Sequence, residues 1–126
     1  EPPVFEYSEH GKPSIVGHPE IYFNLSHCRS VAACVVSLSP VGVDVEDVRE
    51  FKESLARYVL NDDEYAAVMS SQSPAQEFIR LWTMKESYLK LTGEGITRDL
   101  KTVLTDIGKY HFDTRFLHSS ILTICY

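Results

Sequence analysis

The strongest constraint on the fold is a long amphipathic pattern that begins after Ser73-Pro74 and ends at Gly93 and Gly95. Serine before proline supplies an N-cap and a first-turn residue that needs no N–H, and glycine favours the left-handed position at a helix end. Apolar residues recur between these limits at helical spacing, namely Phe78, Leu81, Trp82, Tyr88, Leu89 and Leu91. The pattern predicts one long helix whose buried face packs against another element.

The segments on either side of this helix are typical of strands. Ile21 to Leu25 predicts a short strand, and the apolar run Val31 to Leu38 is followed by a turn at Ser39-Pro40 and a second run, Val41 to Val45. We interpret these two runs as a hairpin. Two antiparallel strands joined near Ser119-Ser120 are expected at the end of the chain.

Two shorter helices are predicted between these groups of strands. Val48 to Leu60 has apolar residues at helical spacing, and Asn61 with the acidic residues after it offers an N-cap to a helix that runs through Met69. The opening segment, Glu1 to Pro19, is rich in proline and glycine and is expected to be irregular. The sequence therefore predicts an α+β fold, with a mostly antiparallel sheet packed against one long helix and shorter helices.

Composition excludes several classes of protein. The chain has 126 residues, 44% hydrophobic and 24% charged, which fits one domain with a modest core. Its formal net charge of -6 predicts no general attraction to nucleic acid or to an anionic membrane surface. No apolar run approaches the roughly 20 residues of a membrane-spanning helix, and no signal-peptide pattern is visible, so we expect a cytoplasmic protein.

An acidic pair lies on one of the predicted strands. Side chains two residues apart share a face of a strand, so Asp44 and Glu46 are expected to project together while Val43 and Val45 enter the core. We expect these carboxylates to be exposed. On its own, a solvated strand face is the commoner explanation of such a pair.

The long helix carries a second polar group. Trp82, Glu86 and Lys90 are four residues apart and line one stripe, with Lys85 beside it. On its own, an ordinary helix salt bridge beside a buried tryptophan is the commoner explanation of this pattern. A third polar step, Asn24 to His27, ends the first predicted strand, where a lone histidine is more often a surface residue than a catalytic one.

Considered together, these three polar features favour a functional site more strongly than each does alone. If the helix packs against the hairpin, Asp44, Glu46 and Glu86 converge, and magnesium accepts a few carboxylates together with waters and substrate phosphate oxygens. Three basic side chains would then face a diphosphate: Lys85, Lys90 and His27. This combination suits magnesium-assisted transfer of a phosphate-linked group.

These residues carry a resemblance to a known family. FNLSH at 23–27, VGVDVED at 41–47 and WTMKESYLKLTGEG at 82–95 resemble, in this order, the motifs of the Sfp-type 4'-phosphopantetheinyl transferases of the holo-acyl-carrier-protein synthase superfamily. The match extends from Gly11-Lys12-Pro13 to the last strands. It implies magnesium-dependent transfer of 4'-phosphopantetheine from coenzyme A to a serine of an apo acyl or peptidyl carrier protein, with release of 3',5'-ADP.

The resemblance also implies roles for individual residues. Asp44, Glu46 and Glu86 would coordinate magnesium together with the coenzyme A diphosphate, and Glu86 or a metal-bound water would be the base for the serine proton. Lys90 would support catalysis near the phosphates. The positions expected against coenzyme A are Lys12, Ser26, His27 and Lys85. Glu64, or its neighbour Asp63, resembles a further acidic position near the site.

The chain departs from the family pattern in length. Family members of this type usually consist of two similar α+β halves, whereas residues 1–40 resemble only the end of a first half and residues 41–126 the second half. We therefore interpret residues 1–126 as a single domain that is truncated at its N-terminus. The uncovered apolar interface is expected to be covered by a missing segment or to mediate self-association.

Two other functions remain open from the sequence. A non-catalytic module that binds carrier protein would keep the fold without turnover, and a metal-dependent phosphohydrolase would use the same carboxylates. An acidic carrier protein would need a local basic or apolar patch on this acidic chain. Such a patch could be formed by Arg29, Arg49, Lys52 and Arg57, although a solvated surface is the simpler interpretation.

Overall fold

The computed structural model describes residues 2–95, 99–105 and 108–126. Five strands come first: β1 (Phe5–Tyr7), β2 (Pro13–Ile15), β3 (Tyr22–His27), β4 (Ala32–Ser37) and β5 (Gly42–Asp47). The helices α1 (Glu53–Val59), α2 (Asp62–Ser70) and α3 (Pro74–Thr92) and a 3-10 turn (Leu100–Thr102) follow, before strands β6 (Phe112–Phe116) and β7 (Ser120–Cys125). The predicted α+β class is confirmed.

The strands form three antiparallel groups. β5, β7 and β6 make a three-stranded sheet in that order, with Asp44 opposite Thr123. β3 pairs with β4, and β1 pairs with β2 inside the opening segment that the sequence predicted to be irregular. The predicted hairpin between the runs Val31 to Leu38 and Val41 to Val45 is wrong, because β4 pairs with β3 and β5 pairs with β7.

The free edge of β5 is closed by side chains of β3. The Val43 N–H donates to Asn24 Oδ1 at 2.9 Å, and the Val45 N–H donates to Ser26 Oγ at 3.0 Å. Asn24 and Ser26 are both buried and lie two apart on one face of β3. Polar side chains therefore take the place of a backbone ladder and anchor the hairpin of β3 and β4 on the sheet.

Capping interactions mark the start of α2 and the end of α3, whereas the Ser73 side chain makes no capping hydrogen bond at the start of α3. Asn61 and Glu64 form a reciprocal capping box at the start of α2, and Gly93, at φ 77°, ends α3 with its N–H bonded to the Leu89 carbonyl. These predicted boundaries are confirmed. The helix predicted from Val48 begins only at Glu53. Within the described residues, no helix has the length and apolar character needed to cross a membrane.

Gly42 fixes the approach of α3 to β5. A Cβ atom at this position would lie 2.0 Å from the Ser87 carbonyl oxygen and 2.6 Å from the Leu91 nitrogen. The face of β5 that carries Gly42 therefore points at α3, and Asp44 and Glu46 share that face because they follow at intervals of two. The tight contact brings both carboxylates of the strand against the helix.

Gly42→Ala is expected to destabilise the protein by about 3 kcal/mol or more, because backbone atoms of α3 cannot move aside as a flexible side chain would. Gly11→Ala is the control, since nothing lies within 4 Å of its Cβ and only its φ of 83° opposes the change; that cost is about 1 kcal/mol. Urea unfolding of both variants gives the comparison. Equal losses would show that the contact between β5 and α3 is not tight.

Candidate active site

Asp44 lies at the centre of the predicted site. Its side chain is buried, with 3% of the residue exposed, so the expectation of an exposed carboxylate is wrong for this residue. Oδ1 lies 3.4 Å from Lys90 Nζ and accepts a hydrogen bond from Ser26 Oγ at 3.4 Å. Oδ2 has no hydrogen-bond partner in the part of the chain that the structure describes. A buried carboxylate oxygen without a partner is costly, and a cation would relieve this cost.

The neighbouring carboxylates make the charge on Asp44 still less favourable. Burial, reinforced by the charges of Glu46 and Glu86, raises the pKa of Asp44 to about 8, although Lys90 opposes the rise. The pKa of Glu86 is also raised, by burial and then by Glu46, and again Lys90 opposes the shift. The three predicted metal ligands thus lie close enough to repel one another.

Two lysines meet at the end of α3 beside this cluster. Lys90, half-buried, lies on the last turn of the helix and also donates to the Leu25 carbonyl at 3.4 Å. Lys12 donates to the Lys90 carbonyl at 2.5 Å and to the Val41 carbonyl at 3.5 Å. Burial and the charge of Lys90 lower the pKa of Lys12. Lys12 therefore ties the end of α3 to the start of β5.

Two cavities open around the carboxylates. The first, about 250 Å³, is lined by Lys12, Glu86 and Lys90 together with His10 and Asn24. The second, about 560 Å³, is lined by residues that include His27 and Glu46. Asp44 contacts Lys90 of the first cavity and lies two residues before Glu46 of the second. Seven of the eight predicted site residues therefore surround one region, and Lys85 is the exception.

Lys85 is buried on another side of α3. Its ammonium group, in a side chain that is 1% exposed, donates to Glu64 Oε1 at 2.7 Å and to the carbonyls of Val59 at 2.9 Å and Leu100 at 2.7 Å. Three donated bonds use all three protons of a lysine, so none is left for a phosphate in this arrangement. Glu64, which the sequence placed near the site, instead accepts one of these hydrogen bonds from Lys85.

Lys85→Met is expected to cost about 3 to 5 kcal/mol of stability, because it leaves the Glu64 carboxylate and two buried carbonyls without their donor. The affinity for coenzyme A of the variant that folds should change little. Urea unfolding and calorimetric titration with coenzyme A measure the two effects. Unchanged stability with lost affinity would contradict the structural role and place Lys85 against the ligand.

Asp44, Glu46 and Glu86 are the residues that would hold a metal ion. The described residues contain no group of three or more His, Cys, Asp or Glu side chains already arranged to hold a metal ion. The partnerless Oδ2 of Asp44 and the repulsion among the three carboxylates are nonetheless what a divalent cation would compensate, and oxygen ligands suit magnesium. The carboxylate oxygens of these three residues are therefore chemically suited to bind magnesium.

Two residues of this region were not predicted as site residues. Asn24 holds the edge of β5, and Asp47 accepts hydrogen bonds from Ser120 Oγ at 2.9 Å, the Arg29 N–H at 3.1 Å and Ser30 Oγ at 3.2 Å. The sequence held part of the information needed to find them. Asn24 lies two residues before Ser26 on the same predicted strand, and Asp47 directly follows the acidic pair. The partners of Asp47, distant in sequence, carried no such signal.

The model of the 4'-phosphopantetheinyl transferase superfamily matches residues 40–123, which include β5, α3 and all three carboxylates. The 4'-phosphopantetheinyl transferase psf-1 of Bacillus pumilus is 37% identical over 101 residues, which cover 79% of this chain and 43% of that protein.

Two further relatives show the same coverage. The 4'-phosphopantetheinyl transferase gsp of Aneurinibacillus migulanus is 36% identical over 95 residues, 74% of this chain and 39% of that protein. The 4'-phosphopantetheinyl transferase Sfp of Bacillus subtilis strain 168 is 32% identical over 98 residues, 76% of this chain and 44% of that protein. The chain thus spans less than half the length of these relatives. By its sequence, the chain belongs to the 4'-phosphopantetheinyl transferase superfamily.

Proposed function

We infer that the protein transfers the 4'-phosphopantetheine group of coenzyme A to a serine hydroxyl of an apo acyl or peptidyl carrier protein, with magnesium, releasing 3',5'-ADP. The observation that carries this proposal is the buried Asp44 carboxylate, which lies among Glu46, Glu86 and Lys90 and has one oxygen without a partner. The three relatives described above are named 4'-phosphopantetheinyl transferases, which supports this activity.

The acidic residues would hold the metal. Asp44, Glu46 and Glu86 are the proposed ligands, and small side-chain rotations would be needed to bring their oxygens onto one ion. A bound magnesium ion supplies charge neutralisation to the diphosphate and lowers the pKa of a bound water. Because metal ligation requires the ionised carboxylate, binding should release the proton that Asp44 holds below its pKa of about 8.

The basic residues would position the diphosphate. Lys90 lies beside Asp44 and faces the first cavity, where its charge can stabilise the bisphosphate as it leaves. His27, exposed at the end of β3, lines the second cavity with Glu46 and is proposed to contact phosphate. Ser26 and Lys12 would act near coenzyme A, although here their polar groups also hold β5 and the end of α3.

Glu86 is the proposed base for the serine proton, alone or through a metal-bound water. Its carboxylate lines the first cavity, and its raised pKa makes it a better proton acceptor than an ordinary glutamate. A positioned base beside a charge-stabilising lysine is what hydroxyl attack on a diphosphate requires.

Calorimetric titration with coenzyme A, with and without magnesium, tests the ligand part of this proposal. We expect magnesium to strengthen binding and the enhancement to disappear with chelator. Binding of apo carrier protein with no magnesium-dependent binding of coenzyme A would favour the non-catalytic module. Release of inorganic phosphate from coenzyme A would favour the phosphohydrolase.

A further inference from the structure

Polar side chains occupy buried positions of β3, and an apolar one between them is exposed. Asn24 and Ser26 are buried, whereas Leu25 is 57% exposed. A strand packed on a core usually shows the opposite alternation, because a buried polar group costs free energy unless it is hydrogen-bonded. The inverted pattern indicates that the hydrogen bonds of these two side chains serve the neighbouring strand.

Both side chains bind the residues that flank Asp44. Asn24 Oδ1 accepts the Val43 N–H at 2.9 Å, and Ser26 Oγ accepts the Val45 N–H at 3.0 Å. The side chains of Val43 and Val45 are fully buried. The backbone before and after Asp44 is thus fixed at an edge of β5 that, among the described strands, has no backbone ladder. We refer to Asn24 and Ser26 as the β3 clamp.

The direction of each hydrogen bond in the β3 clamp is set by its chemistry. A backbone N–H can only donate, so the Asn24 amide must turn its oxygen, and not its nitrogen, toward Val43. The Ser26 hydroxyl accepts from Val45 and donates its one proton to Asp44 Oδ1 at 3.4 Å. Ser26 therefore links the backbone of β5 to the carboxylate that this strand carries.

The β3 clamp also determines which oxygen of Asp44 is free. Oδ1 accepts from Ser26 and lies 3.4 Å from Lys90 Nζ. Oδ2 is buried and has no hydrogen-bond partner in the described part of the chain. One oxygen is held by a hydroxyl and an ammonium group, and the backbone is fixed on both sides. The carboxylate therefore has little freedom to rotate, and Oδ2 is presented in a fixed direction.

We propose that Asn24 and Ser26 are positioning residues, which hold Asp44 so that its free oxygen can bind the metal ion. This inference rests on the proposed function and gives Asn24 a part in the reaction. Neither residue touches the ion in this role. Residues that hydrogen-bond to a metal ligand typically contribute about 10- to 100-fold to metal affinity, because they orient the ligand before the metal arrives.

Uptake of manganese(II) in the presence of saturating coenzyme A tests this role without turnover. Manganese accepts the same oxygen ligands as magnesium, and its free ion gives an electron paramagnetic resonance signal that is lost on binding. We expect Asn24→Ala and Ser26→Ala each to weaken manganese binding by about tenfold or more. The affinity of Asn24→Ala for coenzyme A in chelator should stay within about twofold of wild type, because the role of Asn24 is exerted through the metal ligand.

Asn61→Ala is the matched control. Asn61 Oδ1 likewise accepts a backbone N–H at 2.9 Å, from Glu64 at the start of α2. Both asparagine variants lose one bond of this kind, so both are expected to lower the urea midpoint. Only Asn24→Ala should weaken manganese binding. Equal weakening in both variants would assign the effect to general destabilisation and overturn the positioning role.

Amide hydrogen exchange measures the β3 clamp with no ligand present. We expect slow exchange at Val43 and Val45 in wild type, although both lie on a strand edge. Asn24→Ala should speed exchange severalfold at Val43 and less at Val45, and Ser26→Ala should do the reverse. Unchanged exchange at Val43 in Asn24→Ala would show that this side chain does not hold β5, and the proposal would fail.

These measurements separate the positioning role from the proposed function. If wild type binds manganese but does not modify carrier protein, the proposed function fails, and weaker binding by the two clamp variants still supports the positioning role. Asn24 also lines the first cavity. If Asn24→Ala loses affinity for coenzyme A in chelator but keeps its affinity for manganese, Asn24 contacts the ligand and the inference is overturned. It is also overturned, even where transfer occurs, if the clamp variants bind manganese as wild type does or if wild type binds none.

Discussion

Replacing Asp44 by asparagine is expected to abolish transfer, by roughly 10²-fold or more, while making the metal-free protein more stable at alkaline pH. Burial and two neighbouring carboxylates raise the pKa of this carboxyl from 3.8 to about 8. Between these pH values the folded state holds a proton that the unfolded state has lost, so stability falls as pH rises through this range. Asparagine carries no charge that must be buried, so the variant should not lose this stability as the pH rises.

Urea unfolding at pH 6 and pH 8.5, in the presence of a chelator, measures the change of stability with pH. A transfer assay with coenzyme A and carrier protein measures the loss of activity. Asp113→Asn is the control, because the Asp113 side chain is 42% exposed and its Oδ2 lies 3.1 Å from Arg115 Nη2. Wild type should lose stability toward pH 8.5, and Asp44→Asn should lose less. An Asp44→Asn variant with full transfer activity would show that the carboxylate is not needed for the reaction.

Replacing Lys90 by methionine is expected to lower kcat by roughly 10²-fold or more with little change in stability. Methionine keeps the apolar stem but removes the charge that lies 3.4 Å from Asp44 Oδ1. The lysine pairs with Asp44, a proposed metal ligand, and lines the first cavity, so it is placed to stabilise negative charge that builds on the leaving group. Rates should be compared at saturating magnesium, because the loss of Lys90 also removes a cation from Asp44.

Arg80→Met serves as the control on the same helix. The Arg80 side chain is 32% exposed, and that of Lys90 is 31% exposed. Arg80 forms an ion pair with Glu77, which is not one of the proposed site residues. Both variants lose one cation from α3 with matched burial, so only a role in the reaction separates them. Wild-type kcat in Lys90→Met would reduce Lys90 to the partner of a helix salt bridge.

The elements with local signals were predictable. The Ser73-Pro74 start and the Gly93 end of α3, and the Asn61 cap of α2, are properties of a few neighbouring residues, and the structure confirms them. Strand pairing was not local. The runs around Val35 and Val43 are adjacent in sequence, but β4 pairs with β3, and β5 takes its partner from the end of the chain.

The site shows the same division. Spacing placed Asp44 with Glu46, and Glu86 with Lys90, and the contact at Gly42 brings the two pairs together. Spacing could not place Lys85, because its neighbour Glu86 points to the carboxylates while Lys85 turns to partners on three other elements. Nor could alternation predict that Asp44 is buried, since that depends on α3 and β3 covering it.

Intact mass measurement of the carrier protein shows whether the protein transfers phosphopantetheine to it. Apo carrier protein is incubated with this protein, coenzyme A and magnesium, and its mass is recorded beside reactions without magnesium and with Asp44→Asn. We expect the carrier protein to gain the mass of one phosphopantetheine group, and this gain to require both magnesium and Asp44. An unchanged carrier mass in the complete reaction, with coenzyme A bound, would contradict this expectation.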